Sequence, residues 1–260
     1  MTSTRGTKIN QLLQGWPRGT VATQSWLTAQ GVSSRLALSY ASTGWLARLG
    51  PRAFLQAGDR VDWRGGLYAL QSQLGMSVHA GARTALDLQG LSHFIPMGSA
   101  QPVVLISDKP ERLPRWFWQY PWETPVEHHA LALFEKIPAA STTRVGCGGF
   151  EIPVSSPERA IMEEMRLTRT NPDIEHSIQL MQNLSTLRPR LTQELLESCN
   201  AVKVKRLFLW SAERAGHAWV DKLDPTRVDV GSGKRQLYKG GELDPKYAIT
   251  VPRRGSLPDA

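Results

Sequence analysis

The sequence predicts an α+β fold in two unequal parts: a small helical unit with a hairpin at the amino end, then a larger mixed α+β domain. Three observations lead there. Residues 1–58 carry six basic side chains and no acidic one, whereas residues 96–200 carry 10 basic and 13 acidic. Short helical periodicities followed by a tight turn crowd the first 56 residues,. Beyond them, apolar strand-like runs such as Val103-Val104-Leu105-Ile106-Ser107 alternate with helical patterns such as residues 203–215,. The boundary is set so that residues 1–95 hold the small unit with its trailing helices and residues 96–260 the larger domain.

The small unit follows element by element. Over residues 8–15, Ile9, Leu12 and Leu13 fall at i, i+3 and i+4, and Gly15 with Pro17 stops the helix,. Thr23 is placed to cap a second short helix, 23–30, with Trp26 and Leu27 inward,. Gly31 stands where a helix needs a left-handed residue after its end, and Val32 can plug the corner,. Ser33 then caps a third helix, with Leu36, Ala37 and Tyr40 inward, that ends near Gly44,. Two short helices joined through a glycine and a small apolar corner describe a helix-turn-helix. Two extended segments, 45–48 and 53–56, with a turn at 49–52, add a wing, so residues 1–95 are predicted to open with a winged helix-turn-helix.

Its chemistry suits duplex DNA. A long stretch without acids favours a polyanionic partner. The outer face of the third helix offers Ser33, Ser34, Arg35, Leu38 and Ser39, small enough to approach base edges, with Arg35 able to read guanine or hold phosphate,. Arg18, Thr23 and Gln24 are candidate phosphate contacts, and Arg48 and Arg52 on the wing suit the backbone or minor groove,.

For the rest, residues 63–74 read as a helix with Leu67, Leu70 and Leu74 in one stripe, and 81–88 as another,. Residues 91–96, Val103–Ser107 and Arg115-Trp116-Phe117 read as strands, 126–134 as extended, and 145–154 as two strands around Gly148-Gly149,. Ser156, Pro157 and Glu158 mark a helix start, and helices are expected over 157–168, 174–184, 192–199 and 203–215,. Residues 236–252 read as extended, ending in a strand at 247–251.

Chemistry-bearing residues in the larger domain point to binding rather than catalysis. Gly231-Ser232-Gly233-Lys234-Arg235 fails as a phosphate loop, because Val228 and Arg235 stand where glycine and Ser or Thr are required,. His128 and His129 on a strand face opposite ways and do not converge on a metal,. Arg159 and Glu163 read as a surface ion pair at i, i+4, near Glu158 and Glu164,. Lys203, Lys205, Arg206 and Arg214 fall on the outer face of their helix and, with Lys234, Arg235 and Lys239, suggest a second basic surface for DNA, RNA or protein,. Trp45, Trp63 and Trp210 lie in apolar patterns and are expected in the core. Cys147 and Cys199 are expected as free thiols, and no metal, cofactor or catalytic constellation is expected,. No apolar run is long enough to span a bilayer and the first residues lack a secretory pattern, so the cytoplasm is the expected compartment,.

The segments GGLYALQ at 65–71, GARTALDLQG at 81–90, SSPERA at 155–160, VKRLFLW at 204–210, AERAGH at 212–217 and DVGSGKRQ at 229–236 together resemble the AbiEi family. These are the antitoxins of bacterial type IV toxin–antitoxin, or phage abortive-infection, systems. The resemblance implies a non-enzymatic autorepressor that binds inverted repeats in its promoter. It also implies a larger domain that counters a nucleotidyltransferase-like AbiEii toxin without a stable complex. On this sequence, Ser33, Ser34 and Arg35 match the start of the recognition helix, and Arg48 and Arg52 the wing. A stand-alone regulator, a nucleotide-binding enzyme targeted by a winged helix and an RNA-binding module remain as alternatives.

Overall fold

The computed structural model describes residues 3–92 and 101–253. The chain opens with α1 (Ser3–Gly15), β1 (Ala22–Thr23), α2 (Gln24–Ala29), α3 (Ser34–Ser42) and a hairpin of β2 (Leu46–Gly50) and β3 (Ala53–Gln56). The side chain of Thr23 accepts from the Trp26 N–H to cap α2, and that of Ser33 accepts from the Leu36 N–H to cap α3,. Between the two helices Gly31 takes φ +77°, a value that glycine adopts without the Cβ penalty,. β3 lies between β1 and β2, antiparallel to both. Its side chains alternate between two cores. Phe54 joins Ile9, Leu12, Leu27, Ala37 and Tyr40 under the helices, while Ala53 and Leu55 join the core of the larger body,.

The larger body continues with α4 (Trp63–Ser72), β4 (His79–Ala80), α5 (Ala82–Leu88), β5 (Val103–Ser107), α6 (Arg115–Gln119), β6 (Val126–Ala130), β7 (Thr142–Gly146) and β8 (Glu151–Ser155). Then come α7 (Pro157–Leu167), α8 (Asn171–Asn183), α9 (Pro189–Ser198), α10 (Val202–Ala215) and a hairpin of β9 (Glu242–Asp244) and β10 (Ile249–Val251). Its mixed five-stranded sheet has the order β6-β5-β4-β8-β7. The central strand, β4, comes from the trailing segment of residues 1–95, so that segment is woven into the sheet of the larger body. α7 packs against α5, α8, α9 and α10, and every residue from Glu158 to Met165 is buried.

The two cores are joined closely. The Gly65 carbonyl accepts from the Val21 N–H at 3.3 Å, and a Cβ on Gly65 would stand 1.9 Å from the Gly19 carbonyl oxygen. The Gln73 amide then extends the edge of β1 as a strand would, accepting from the Thr23 N–H at 2.8 Å and donating to the Val21 carbonyl at 2.7 Å.

Several expectations need correction. Arg115-Trp116-Phe117 form helix α6, not a strand, and the consecutive Trp116 and Phe117 are both buried, which one face of a helix permits. The extended stretch at 126–134 stops at Ala130, where pairing with β5 ends. The last strand begins only at Ile249, because Ala248 turns the chain at φ +52°. Trp45 is 47% exposed rather than in the core. The proposed strand at 91–96 lies mostly outside the described residues, and within them the Leu91 N–H still bonds back to Leu86 at the end of α5.

The Arg159–Glu163 pair is not at the surface: both side chains are buried, with Arg159 Nε 2.7 Å from Glu163 Oε1. The reason lies in α5, which starts at a glycine and has no cap of its own. Carboxylates from α7 supply it. Glu163 Oε2 accepts from the Ala82 N–H at 3.0 Å and Glu164 Oε2 from the Arg83 N–H at 3.1 Å,. Gly81 makes room for this, since a Cβ there would stand 2.6 Å from Glu163 Oε2. Glu158, also buried, takes Arg188 through both Nε and a terminal nitrogen, each at 2.9 Å.

Candidate nucleic-acid interface

α3 turns Ala37 and Tyr40 into the small core, and this rotation sets the opposite face outward,. Ser33, Ser34, Arg35 and Leu38 are exposed, and Ser39 is half-buried. On the hairpin, Arg48 and Arg52 are exposed. Arg52 sits at the tip with φ +61°, and its carbonyl accepts from the Gln24 N–H at 2.8 Å, which ties the tip to the start of α2. None of Arg35, Arg48 and Arg52 is ion-paired among the described residues. A capped helix carrying small hydroxyls, a leucine and a free guanidinium, beside a hairpin with two free guanidinium groups, can meet base edges and phosphates together.

Three predicted contacts sit differently. Thr23 and Gln24 are buried: Thr23 spends its hydroxyl on the α2 cap, and Gln24 Nε2 donates to the Val32 carbonyl and Thr28 Oγ1, both at 3.2 Å. Their side chains build the turn instead of reaching its surface, where Ser25 is the exposed neighbour that sequence reasoning missed. Arg18 is exposed but held by Asp59 at 2.6 Å, in a polar groove shared with Arg60, Asp62, Arg64 and Cys147.

The second basic surface does not form as one face. Arg206 is buried and donates to the carbonyls of Val230 at 2.7 Å, Gly231 at 3.1 Å, Gly233 at 2.6 Å and Ala248 at 3.3 Å. Lys205, also buried, donates to the Asp229 carbonyl at 3.0 Å. The glycine-rich loop therefore aims its carbonyls inward at two cations and leaves Lys234 and Arg235 outside. Lys203 is half-buried and donates to the Thr168 carbonyl at 2.5 Å; burial, with Arg166 nearby, lowers its ammonium to about 8. Arg214 is exposed with its guanidinium 5.8 Å from the centre of the Trp210 ring, and Lys239 is exposed. A helical stripe of basic residues reads the same whether a loop covers it or not.

Two family models cover the chain. One, described as the N-terminal domain of a transcriptional regulator and AbiEi antitoxin, matches residues 5–97; the other, a transcriptional regulator and AbiEi antitoxin of a type IV toxin–antitoxin system, matches residues 100–252. The chain belongs to the AbiEi family. Among solved structures, this AbiEi chain is similar to the RV2827C protein from Mycobacterium tuberculosis, with a TM-score of 0.55 and 13% identity over 96% of this chain and 92% of that one. At that identity the likeness is one of fold. A search of curated proteins finds no match. Among the described residues of the AbiEi chain, no helix is long and apolar enough to cross a membrane.

Proposed function

We propose that this AbiEi protein represses its own operon and counters a toxin. Residues 1–95 act as a winged helix-turn-helix on inverted repeats in promoter DNA, with α3 in the major groove and Arg48 and Arg52 at the flanking backbone. Residues 96–260 oppose a nucleotidyltransferase-like AbiEii toxin without a stable complex. The observation that carries the DNA arm is the outward face of α3, with Ser34, Arg35 and Leu38 exposed beside two unpaired wing arginines. The acid-free stretch of residues 1–58 gives the same surface a positive field,. The toxin arm follows from the family.

A gel-shift titration of the full chain tests the first arm, using duplex from upstream of its own gene against unrelated duplex at equal salt. Stepwise, preferential binding to the upstream fragment is expected; no preference sinks the repressor. Co-expression with an AbiEii-like toxin tests the second. Restored growth is expected, and repression without rescue would make the chain a stand-alone regulator.

A further inference from the structure

The five-stranded sheet ends in an open edge at β6. Among the described residues β6 pairs with β5 alone, in parallel and without a break in register. Just before the strand, the Pro125 carbonyl accepts from the Val103 N–H at 2.8 Å; just after it, the Leu131 N–H donates to the Ser107 carbonyl at 2.9 Å. Backbone groups alternate sides along a strand, so Glu127 and His129 also turn theirs to β5, and Val126, His128 and Ala130 turn theirs outward. Among the described residues, nothing in the chain bonds those outward N–H and C=O groups. Proteins commonly guard such an edge with lysine, proline or a bulge. Val126-Glu127-His128-His129-Ala130 has none of these, and no residue of the strand is fully buried.

The side chains select what fits this edge. Glu127 and His129 share one face of the sheet, with Oε2 and Nε2 3.3 Å apart. His128 lies on the other face, its Nε2 2.9 Å from Ser107 Oγ. A second copy that continues the sheet by two-fold symmetry keeps each face on its own side, so its strand must centre on a residue. Centred on Glu127, two carboxylates oppose one another; centred on His129, two imidazoles do, and Glu127 faces beyond the strand. Centred on His128, Glu127 of each copy opposes the partner's His129, and all of Val126–Ala130 is paired. The outward residues then exchange both hydrogen bonds of each pair, Val126 with the partner's Ala130 and His128 with its own copy. Glu127 and His129 fall at the non-hydrogen-bonded pairs, where opposed side chains stand closest. Burial lowers His128 below the ordinary imidazole pKa, so the two that meet at the axis are neutral at pH 7,.

We propose that the chain self-associates through β6: a second copy pairs antiparallel about His128 and runs the two five-stranded sheets into one. Charge complementarity selects a second copy as the occupant, because the strand reads acid then imidazole about its own centre and so matches itself when reversed. The pairing rests on this edge and not on the DNA-binding function proposed above. Where both hold, a single two-fold axis relates two α3 helices, which is the symmetry of an inverted repeat.

Sedimentation velocity of the full chain, without DNA, tests this over low to high micromolar concentrations with wild type, Glu127→Arg and His129→Glu. The wild type should associate to a dimer. Either substitution sets like charges opposite at both symmetry-related pairs and should weaken association by about tenfold or more. Mixed in equal amounts, the two variants should dimerise again, since each then meets an opposite charge at both pairs. If a variant fails to fold, amide exchange in the wild type replaces it: the Val126, His128 and Ala130 amides should exchange more slowly as concentration rises. A wild type monomeric throughout, variants that associate as it does, or a mixture that fails to recover overturns the proposal. So does protection of these amides that appears only when an AbiEii-like toxin is added, which would give the edge to a strand of another protein. Loss of dimerisation with preferential binding to the upstream duplex intact leaves the repressor standing.

Discussion

Replacing Glu163 with glutamine changes almost no volume and removes one charge from the interior. The carboxylate is completely enclosed and takes three donors, Arg159 Nε at 2.7 Å, Ser155 Oγ at 2.8 Å and the Ala82 N–H at 3.0 Å, with His79 Nε2 3.4 Å away. Glutamine keeps one acceptor oxygen and turns an amide NH₂ toward donors, and Arg159 is left with Asp108 alone. Breaking a buried, hydrogen-bonded ion pair from one side costs about 3–5 kcal/mol. For 260 residues unfolding together, at about 2.1 cal/mol/K per residue, that is a fall in Tm of about 5–9 °C,. The carboxyl also carries a pH signature. Burial would raise its pKa, but Arg159, with His79 and the Ala82 amide, holds it at about 2, against 4.5 for an ordinary glutamate. Between those values the unfolded chain binds the extra proton, so the stabilisation is whole above pH 4.5 and is lost as pH falls toward 2, by roughly 3 kcal/mol,. Urea unfolding of both proteins at neutral pH and near pH 3 checks this: the wild type should lead clearly at neutral pH and the gap should narrow in acid. A variant matching the wild type within about 0.5 kcal/mol at neutral pH, or a gap indifferent to acid, refutes the network as described.

Two further substitutions address the surface and the carboxyl-terminal loop. Arg35→Ala should weaken binding to the upstream duplex by roughly 1–3 kcal/mol and relax preference at the base pair it meets; competition titrations with unchanged affinity and specificity would remove Arg35 from base reading. Arg206→Lys should cost about 1–3 kcal/mol in urea unfolding, because an ammonium at one point cannot serve four carbonyls spread around a planar fork. A wild-type midpoint would mean that the glycine-rich loop holds itself in place.

Much of the small unit was legible because its signals are local. Thr23 and Ser33 cap within three residues, Gly31 needs its left-handed conformation where it stands, and Ala37 and Tyr40 set the phase of α3. The same locality explains the misreadings. Thr23 is a phosphate candidate by residue type, but a capping hydroxyl is already committed. β3 shows no polar–apolar alternation because both its faces are buried, one against each core,. Glu163 and Glu164 read as solvated because their partners, the amides of Ala82 and Arg83, lie 81 residues away in sequence. No periodicity within α7 reports on a helix start elsewhere.

Interior use of charge also changes what segment counts mean for the interface. The basic total of residues 201–260 includes Lys205 and Arg206, which serve loop carbonyls in the interior and project far less to solvent than their sequence positions suggest. The acidic total of residues 96–200 includes Glu158, Glu163 and Glu164, each buried beside an arginine. Burying these groups weakens the apparent second basic surface, and it also weakens the acidic field expected of the middle segment. What remains outward and outside any ion pair around the hairpin, among the described residues, is Arg35, Arg48 and Arg52 of the small unit. Gly50 abuts Trp116 and β3 is a wall of both cores, so α6 and the hairpin share one packed contact,. The division into a DNA-binding part and a regulatory part therefore describes sequence segments better than it describes mechanical units.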